Sequence, residues 1–414
     1  MAQQAQHEST PTTRPHFRTK SHNHMLPTQK SIRVLFLVAG EPVRGLAPSS
    51  RFRVYAYAPQ LTADARLSFR ISASLPAKYF YDRPFFKKHR ALGAMAIPVG
   101  LALMFLTRIR DLVRTPFYDV VYIQKPLFPG RFYPLLELAF VKFTRHSIFD
   151  FDDAVFVYHH ASDNARASWL YRLFEYKNST ARIISAVSCV VAGNEYLATY
   201  ARQFNSRVRV VPTVVDTDHY TPAPETVAAR TPLVIGWIGT SGNLAYLEEL
   251  APVIRRLQQD YQVGLSIVCN PLPRPPKLPG VTYRWTRWTT DGELEALRAF
   301  DIGIMPLRDG PWERGKCGFK LLQYMACAIP TVASRVGVNT TIVADGENGF
   351  LATDISEWEQ KLRLLLEHEH LRKQFSITGR ATVAQQYSLR SGYPLLAEAI
   401  IGAAQTGKPR ASRK

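Results

Sequence analysis

The sequence is poor in cysteine and in acidic residues, and both shortages exclude classes of protein. Its 414 residues include four cysteines without C-x-x-C spacing, which argues against a structural zinc site and a disulfide framework. Lys and Arg outnumber Asp and Glu by 52 to 33, so the net charge is +19 and a polyanionic partner is favoured. Because zinc-finger spacing and RNA-binding aromatic motifs are both missing, we expect no nucleic acid partner. An anionic membrane face and phosphorylated substrates remain as possible polyanionic partners.

Long apolar runs are also missing. Residues 1–30 are rich in Gln, Thr, His, Pro and basic residues and hold no run suited to a signal-peptide core, so we expect a disordered basic tail. A second basic tail is expected at 405–414. The apolar segment 91–106 is too short for a comfortable transmembrane helix. We therefore expect a cytoplasmic protein, either free or peripheral on the inner face of the cell membrane.

Basic clusters flank this apolar segment on both sides, at 87–90 and 107–114. Such ends suit a helix that lies in the headgroup region of an anionic membrane. A core helix with basic ends has the same pattern, and a true membrane span is a third possibility. The sequence leaves all three open, with residues 87–114 as the candidate surface for peripheral membrane contact.

Buried strands alternate with helices through both halves of the chain. Apolar runs such as 32–38 and 233–239 are typical of buried parallel strands, and each leads into a glycine-bearing turn. A G-x-G-x-x-G dinucleotide motif is absent. The alternation predicts an α/β protein with two doubly wound domains, at 31–220 and 233–390, a hinge at 221–232 and a cleft between the domains.

The stretch 301–334 contains the clearest pattern for a binding site. An apolar strand leads into a glycine-bearing loop with Lys316 and Lys320, and a helix then runs from Phe319 until Pro330 prevents its continuation. Free N–H groups and the helix dipole attract an anion to such a helix N-terminus, and two lysines add charge that a phosphate can share. An ordinary connection with solvated lysines is the alternative.

Three carboxylates lie at the C-terminal end of a predicted strand within 147–154, namely Asp150, Asp152 and Asp153. This is the end at which an α/β sheet places its chemistry. As a D-x-D motif they could hold a divalent cation, and as structural groups they could accept hydrogen bonds from backbone N–H groups. We expect a third role, in which Asp152 or Asp150 accepts a proton or a hydrogen bond from an acceptor hydroxyl.

The stretch 301–334 resembles the donor-binding region of retaining glycosyltransferases of family four. Its end, Y-M-A-C-A-I-P-T-V-A-S, matches the family pattern A-M-A-x-G-x-P-V-V-A. Gln323 stands where the family has the second Glu of its motif, and Gly315 stands where it has the first. The segments 187–197 and 208–218 also resemble the family.

The resemblance implies a GT-B fold, in which two Rossmann-like domains face each other across a cleft and a last helix, here 392–404, crosses back to the first domain. It implies a hexosyltransferase of polysaccharide biosynthesis that moves a hexose, with retention, from a nucleotide diphosphate sugar to a saccharide or lipid-linked acceptor. No cofactor and no metal ion is required. A non-catalytic sugar-nucleotide binding protein of the same fold is the alternative, because both motif glutamates are replaced.

The residue patterns and the resemblance together predict a set of site residues. The donor-binding residues are Arg51, Gly239, Thr240, Lys316, Gly318, Phe319, Lys320 and Gln323. Asp152 and Asp150 are the predicted catalytic residues, and Asp153, Gly193 and Asn194 are predicted on the acceptor side. Gln323 can accept a hydrogen bond from a ribose hydroxyl through its amide oxygen. Arg51 fits a phosphate contact or a solvated arginine.

Overall fold

Two parallel six-stranded sheets organise the protein, which we describe from a computed structural model. The residues described are 31–40, 48–75, 90–127, 133–157, 176, 178–224, 232–270 and 276–406, without the side chains of 75, 90–98 and 101. The predicted tail at 1–30, most of the tail at 405–414 and most of the predicted hinge lie outside these residues.

The strands of the first sheet are β1 (Ile32–Gly40), β2 (Leu67–Leu75), β3 (Val120–Gln124), β4 (His146–Phe151), β5 (Cys189–Ala192) and β6 (Val208–Val210). Those of the second are β7 (Leu233–Gly239), β8 (Val263–Cys269), β9 (Tyr283–Arg287), β10 (Ile302–Met305), β11 (Thr331–Ser334) and β12 (Phe350–Ala352). The α-helices are Pro48–Arg53, Ala58–Ala63, Arg90–Arg114, Leu135–Phe143, Ser179–Ala186, Glu195–Arg202, Leu244–Glu248, Ala251–Asp260, Glu293–Arg298, Pro311–Arg314, Phe319–Ala326, Asn339–Ile342, Ile355–Glu367, Glu369–Gln386 and Leu389–Gln405.

The strand order gives each sheet one topological switch point. The first sheet has the order β2-β1-β3-β4-β5-β6, and the second has the order β12-β11-β10-β7-β8-β9. The order therefore reverses between β1 and β3 in the first sheet and between β7 and β10 in the second. Ligands of open α/β sheets bind beyond the carboxyl ends of the strands at such points. The predicted α/β fold of two doubly wound domains is confirmed, and each domain, here called a lobe, has one expected binding position.

Continuous apolar runs form these strands because helices cover both faces of each sheet. Along β1, Val34 and Phe36 pack on one face, whereas Leu35 and Leu37 pack on the other, and all four are buried. This alternation follows from the period of two in a strand. Full burial of each such side chain contributes about 1.5–3 kcal/mol to stability.

The last helix, Leu389–Gln405, joins the core of the first lobe. Leu396 and Ile400 belong to the same apolar cluster as Val34 and Phe36 of β1. Just before this helix, the carbonyl oxygen of Tyr387 accepts a hydrogen bond of 2.9 Å from the amide of Val215. The two chain segments that pass between the lobes, one at Val215 and one at Tyr387, therefore lie side by side.

The apolar segment with basic ends is part of one 25-residue helix, Arg90–Arg114. Arg108, predicted in a basic end, lies inside the first lobe, where its Nη2 donates to the Val38 carbonyl at 2.6 Å. Asp111 is also buried and accepts from the Ser72 hydroxyl at 2.6 Å. One side of the helix is thus fixed to the sheet by polar contacts. Lys87, Lys88 and His89 lie outside the described residues.

The opposite side of this helix presents an exposed apolar stripe, formed by Val99, Phe105, Leu106, Ile109 and Val113. At 100° per residue these positions fall within about one third of the helix circumference. Leu106 is 61% exposed and Val113 is 71% exposed, which is uncommon for side chains of this size. Within the part of the chain that the structure describes, no helix combines the length and apolar character needed to cross a membrane.

Candidate active site

The two switch points face each other across the interface between the lobes. The ring of Phe52, in the helix after β1, stacks on the ring of Phe319 at a centroid distance of 3.5 Å. Asn194 caps the helix after β5 by accepting from the Leu197 amide at 2.9 Å. Its Nδ2 also donates to the carbonyl oxygens of Gly315, at 3.1 Å, and Lys316, at 3.0 Å. Asn194 therefore connects the lobes at the carboxyl ends of both sheets.

Asp150, at the end of β4, forms a buried ion pair. Its carboxylate accepts from Arg53 Nη2 at 2.5 Å and from Arg53 Nε at 3.1 Å, and neither residue is appreciably exposed. Burial raises the pKa of Asp150, although Arg53 opposes the shift. With both oxygens held and no exposed surface, Asp150 is placed to anchor Arg53 and has no access to an acceptor. This geometry argues against the catalytic role predicted for Asp150.

Asp152 and Asp153 share one cation, Lys125, which the sequence did not indicate as a site residue. The Lys125 ammonium lies 3.0 Å from Asp152 Oδ1 and 2.5 Å from Asp153 Oδ2. Burial acts to raise the pKa of Asp152, but Lys125 and Arg53 outweigh it and hold that pKa below its usual value. Asp152 is therefore a carboxylate at neutral pH, suited to accept a hydrogen bond from a hydroxyl.

The backbone of Lys125 is strained. Its φ is 63°, in the left-handed region, although the next residue is Pro126 and a residue before proline favours extended conformations. Such strain persists only where surrounding contacts determine the conformation. Here the conformation turns the chain at the end of β3 and brings the ammonium to the two carboxylates.

Lys316 and Lys320 lie together at the N-terminus of the helix Phe319–Ala326. Lys316 Nζ is 5.7 Å from the ring centre of Trp312, and Lys320 Nζ is 5.6 Å from that of Trp237 in β7. Burial and the neighbouring Lys316 ammonium lower the pKa of Lys320 to about 7, while Asp153 acts in the opposite direction. Two neighbouring ammonium groups of this kind form a favourable position for a phosphate.

Two predicted glycines shape this corner. A Cβ on Gly239, the last residue of β7, would lie 2.8 Å from Lys320 Cε and 2.9 Å from the Trp237 ring, so Lys320 packs directly against the glycine. Gly318 has φ of 69° and precedes the helix in the left-handed region that glycine adopts most readily. Thr240 follows Gly239 and accepts a hydrogen bond from Asn243 Nδ2 at 3.0 Å.

Arg51 and Gln323 are engaged by protein groups. Arg51 Nη1 donates to Glu293 Oε2 at 2.9 Å, and Gln323 Nε2 donates to Glu293 Oε1 at 2.9 Å. Glu293 was not among the predicted site residues; a single Glu in an acid-led helix gave no signal of this role. Arg51, whose Nη2 also donates to the Tyr220 hydroxyl at 3.2 Å, is therefore not a solvated arginine, and its role as a phosphate contact stays a prediction.

Gly193 lies beneath Cys317 and beside Asp152. A Cβ at this position would approach Cys317 Sγ to 2.4 Å, so the glycine allows the two lobes to meet. The Cys317 thiol in turn donates to the Asp152 carbonyl at 3.2 Å. Among the described residues, no group of three or more His, Cys, Asp or Glu side chains is arranged to hold a metal ion.

The fold of the chain is similar to those of several solved structures. Sucrose-phosphate synthase from Thermosynechococcus elongatus superposes with a TM-score of 0.64 at 12% identity, covering 90% of this chain and 98% of that one. HepE from Anabaena, solved in complex with UDP-glucose, gives 0.60 at 14% identity, with 90% and 100% covered. A glycosyltransferase from Rickettsia africae gives 0.62 at 12% identity, with 91% and 100% covered. The predicted GT-B fold is confirmed.

The sequence of the second lobe matches a known family of proteins. Residues 232–368 match the family model described as glycosyl transferases group 1. None of the curated proteins matches the chain. The matched residues include β7, Gly239 and the lysine-bearing helix Phe319–Ala326. The second lobe is thus a glycosyltransferase domain, and the predicted enzyme class, a glycosyltransferase, is confirmed.

Proposed function

We propose that the protein transfers a hexose from a nucleotide diphosphate sugar to an acceptor hydroxyl, with retention of configuration as in glycosyltransferases of family four. The observation that carries the proposal is the position of Lys316 and Lys320 at a helix N-terminus and switch point of the second lobe, opposite Asp152 and Asp153. HepE, which has the same fold, is solved in complex with UDP-glucose, and this supports the class of donor.

The lysine pair accounts for stabilisation of the leaving group. Negative charge builds up on the nucleotide diphosphate as its bond to the sugar breaks, and ammonium groups fixed at that position stabilise the charge without reorganisation. The N–H groups at the start of the helix after Gly318 add partial positive charge. In this proposal, Lys316 and Lys320 balance the diphosphate without a metal ion.

Asp152 is the proposed acceptor-side group. Its carboxylate is held by Lys125 and remains ionised at neutral pH, so it accepts a hydrogen bond from the acceptor hydroxyl and orients it. The low pKa makes it a weak proton acceptor, and positioning is its main contribution. Asp153 shares Lys125 and keeps that ammonium close to Asp152.

A lipid-linked saccharide is the proposed acceptor, reached from an anionic membrane face. The exposed apolar stripe of the helix Arg90–Arg114 supports this, because exposed apolar patches mark interaction sites and Arg110 lies beside the stripe. In sedimentation with phosphatidylglycerol vesicles, Val113→Asp should reduce binding several-fold. Ile377→Asp is the matched control, since Ile377 is 72% exposed on the second lobe. Equal binding by both variants would exclude this surface.

The transferase activity is tested with the full chain and the UDP, GDP, ADP and dTDP forms of glucose. One of them should raise the melting temperature and release nucleotide when a saccharide acceptor is present. Lys316→Ala should lose turnover with the fold intact, whereas Lys373→Ala, at an exposed ion pair with Glu369, should not. Binding without release from any donor would favour the non-catalytic alternative, and release of free sugar without an acceptor would indicate hydrolysis.

A further inference from the structure

A buried carboxylate connects the two lobes beside the candidate active site. Glu293 is 4% exposed, and its two oxygens accept four hydrogen bonds. The donors are Arg51 Nη1 at 2.9 Å, the Tyr220 hydroxyl at 2.7 Å, Trp288 Nε1 at 2.9 Å and Gln323 Nε2 at 2.9 Å. We call these five residues the Glu293 network.

Arg51 brings the first lobe into this network. It lies in the helix Pro48–Arg53, whose Ser50 hydroxyl donates to Gln124 of β3 at 2.9 Å. Tyr220 follows the first sheet in the chain but packs in the core of the second lobe. Its carbonyl oxygen also accepts from Arg380 at 3.0 Å. The contact between Arg51 and Glu293 is therefore an ion pair between lobes, formed by residues 242 positions apart.

The charge of Glu293 makes this contact sensitive to the distance between the lobes. A buried carboxylate is stable only with a cation or several good donors, and removal of its cation is costly. Arg51 is the cation that pairs with Glu293 in the described part of the chain, and separation of the lobes would leave that carboxylate with its neutral donors. We propose that the ion pair of Arg51 with Glu293 is a latch that holds the lobes together, with Glu293 as a positioning residue for the donor site.

The same network explains the amide at position 323. Gln323 is 3% exposed and donates to Glu293 across 2.9 Å. A glutamate in its place would bring two carboxylates together around one guanidinium, and like charges at such a distance cannot both remain ionised without a large cost. An amide supplies the N–H that a carboxylate lacks. The amide of Gln323 therefore complements the buried carboxylate of Glu293, and we call this pairing the match between the two residues.

The latch reaches the candidate donor site through the helix Phe319–Ala326. Gln323 lies one turn after Phe319, which stacks on Phe52 of the first lobe next to Arg51. When the latch holds the lobes together, it thus also fixes the helix end that carries Lys320. An effect of the latch on the KM for donor rests on the proposed transferase function, whereas an effect on the distance between the lobes does not.

The experiment measures the distance between one fluorescent label on each lobe of the full-length chain, with and without UDP-glucose. Arg51→Ala should shift the distances to longer values and raise the KM for donor more than it changes kcat. Arg66→Ala is the matched control, because Arg66 forms an exposed ion pair with Asp64 inside the first lobe. An unchanged distance distribution in folded Arg51→Ala would overturn the latch.

A second pair of variants tests the match between Gln323 and Glu293. Gln323→Glu should open the lobes as Arg51→Ala does, and Glu293→Gln added to it should recover part of the closed population by restoring one carboxylate and one amide. No effect of Gln323→Glu, or no recovery in the double variant, would overturn the match. Longer distances in a chain that turns over no nucleotide sugar would support the latch and overturn the proposed transfer reaction instead.

Discussion

The two lobes have parallel sheets of equal size but opposite electrostatic arrangements at their switch points. In the first lobe, Asp150 is paired with Arg53, and Asp152 and Asp153 share Lys125. In the second lobe, burial and the neighbouring Lys316 ammonium lower the pKa of Lys320 to about 7. The first group, with three carboxylates paired to two cations, suits a neutral hydroxyl donor, whereas adjacent ammonium groups are costly unless an anion compensates them. In the proposed reaction, the phosphate therefore binds to the second lobe and the acceptor to the first.

The largest expected effect separates the roles of the lobes. Asp152→Asn should lower kcat about 100-fold, because it removes the charged acceptor-side group, while the dissociation constant for donor stays within about twofold. Asp150→Asn should instead destabilise the fold by about 3–5 kcal/mol, because Arg53 would lose its buried partner. Steady-state kinetics and urea unfolding distinguish the two. A large loss of donor affinity in Asp152→Asn would contradict the division of roles.

The second-largest expected effect is the pH dependence of donor binding to the second lobe. Lys320 binds phosphate as an ammonium, so donor affinity should be highest below its pKa of about 7 and fall as the pH rises above it. If the charged form alone binds, affinity should fall about eightfold between pH 6.5 and pH 8. Calorimetry with a nucleotide sugar is the measurement, since its phosphates do not titrate in this range. Lys320→Met should bind weakly and lose this pH dependence.

A smaller effect tests how the lysine is held. Gly239→Ala should raise the KM for donor about fivefold, because its Cβ would displace Lys320 and Trp237. Gly264→Ala in the neighbouring strand is the control, since the nearest atom to its added Cβ is 3.9 Å away. Similar KM values for the two variants would show that the contact with Lys320 does not position the ammonium.

The smallest effect is on stability, and its sign opposes that on binding. The pKa of Lys320 is lower in the folded protein than in the unfolded chain, so the unfolded chain binds more protons between pH 7 and about pH 10.4. Stability contributed by this group therefore rises with pH across that range and is least below pH 7. Lys320→Met should raise the melting temperature by a few degrees at pH 6 and by less at pH 9. Thermal unfolding at both values would show whether the difference shrinks.

Much of the fold was predictable because its determinants are local. The buried run at 233–239 predicts the strand observed at Leu233–Gly239, and the apolar spacing after Gly318 predicts the helix Phe319–Ala326. The lysines at that helix N-terminus were predicted for the same reason, since backbone N–H groups and nearby charges lie within one short segment. The exposed side of the helix Arg90–Arg114 was not predictable from local pattern alone, because core and surface helices share the same apolar spacing.

Local sequence patterns are sufficient to specify the two α/β lobes and the cationic helix N-terminus, because periodicity and helix-end chemistry act within a few residues. Which charges meet depends on the tertiary structure. It placed Lys125 against Asp152 and Asp153 from a neighbouring strand, withdrew Asp150 and Arg108 from the surface, and brought Arg51 to Glu293 from the other lobe. These outcomes depend on strand order and on how the lobes pack, which no local pattern specifies.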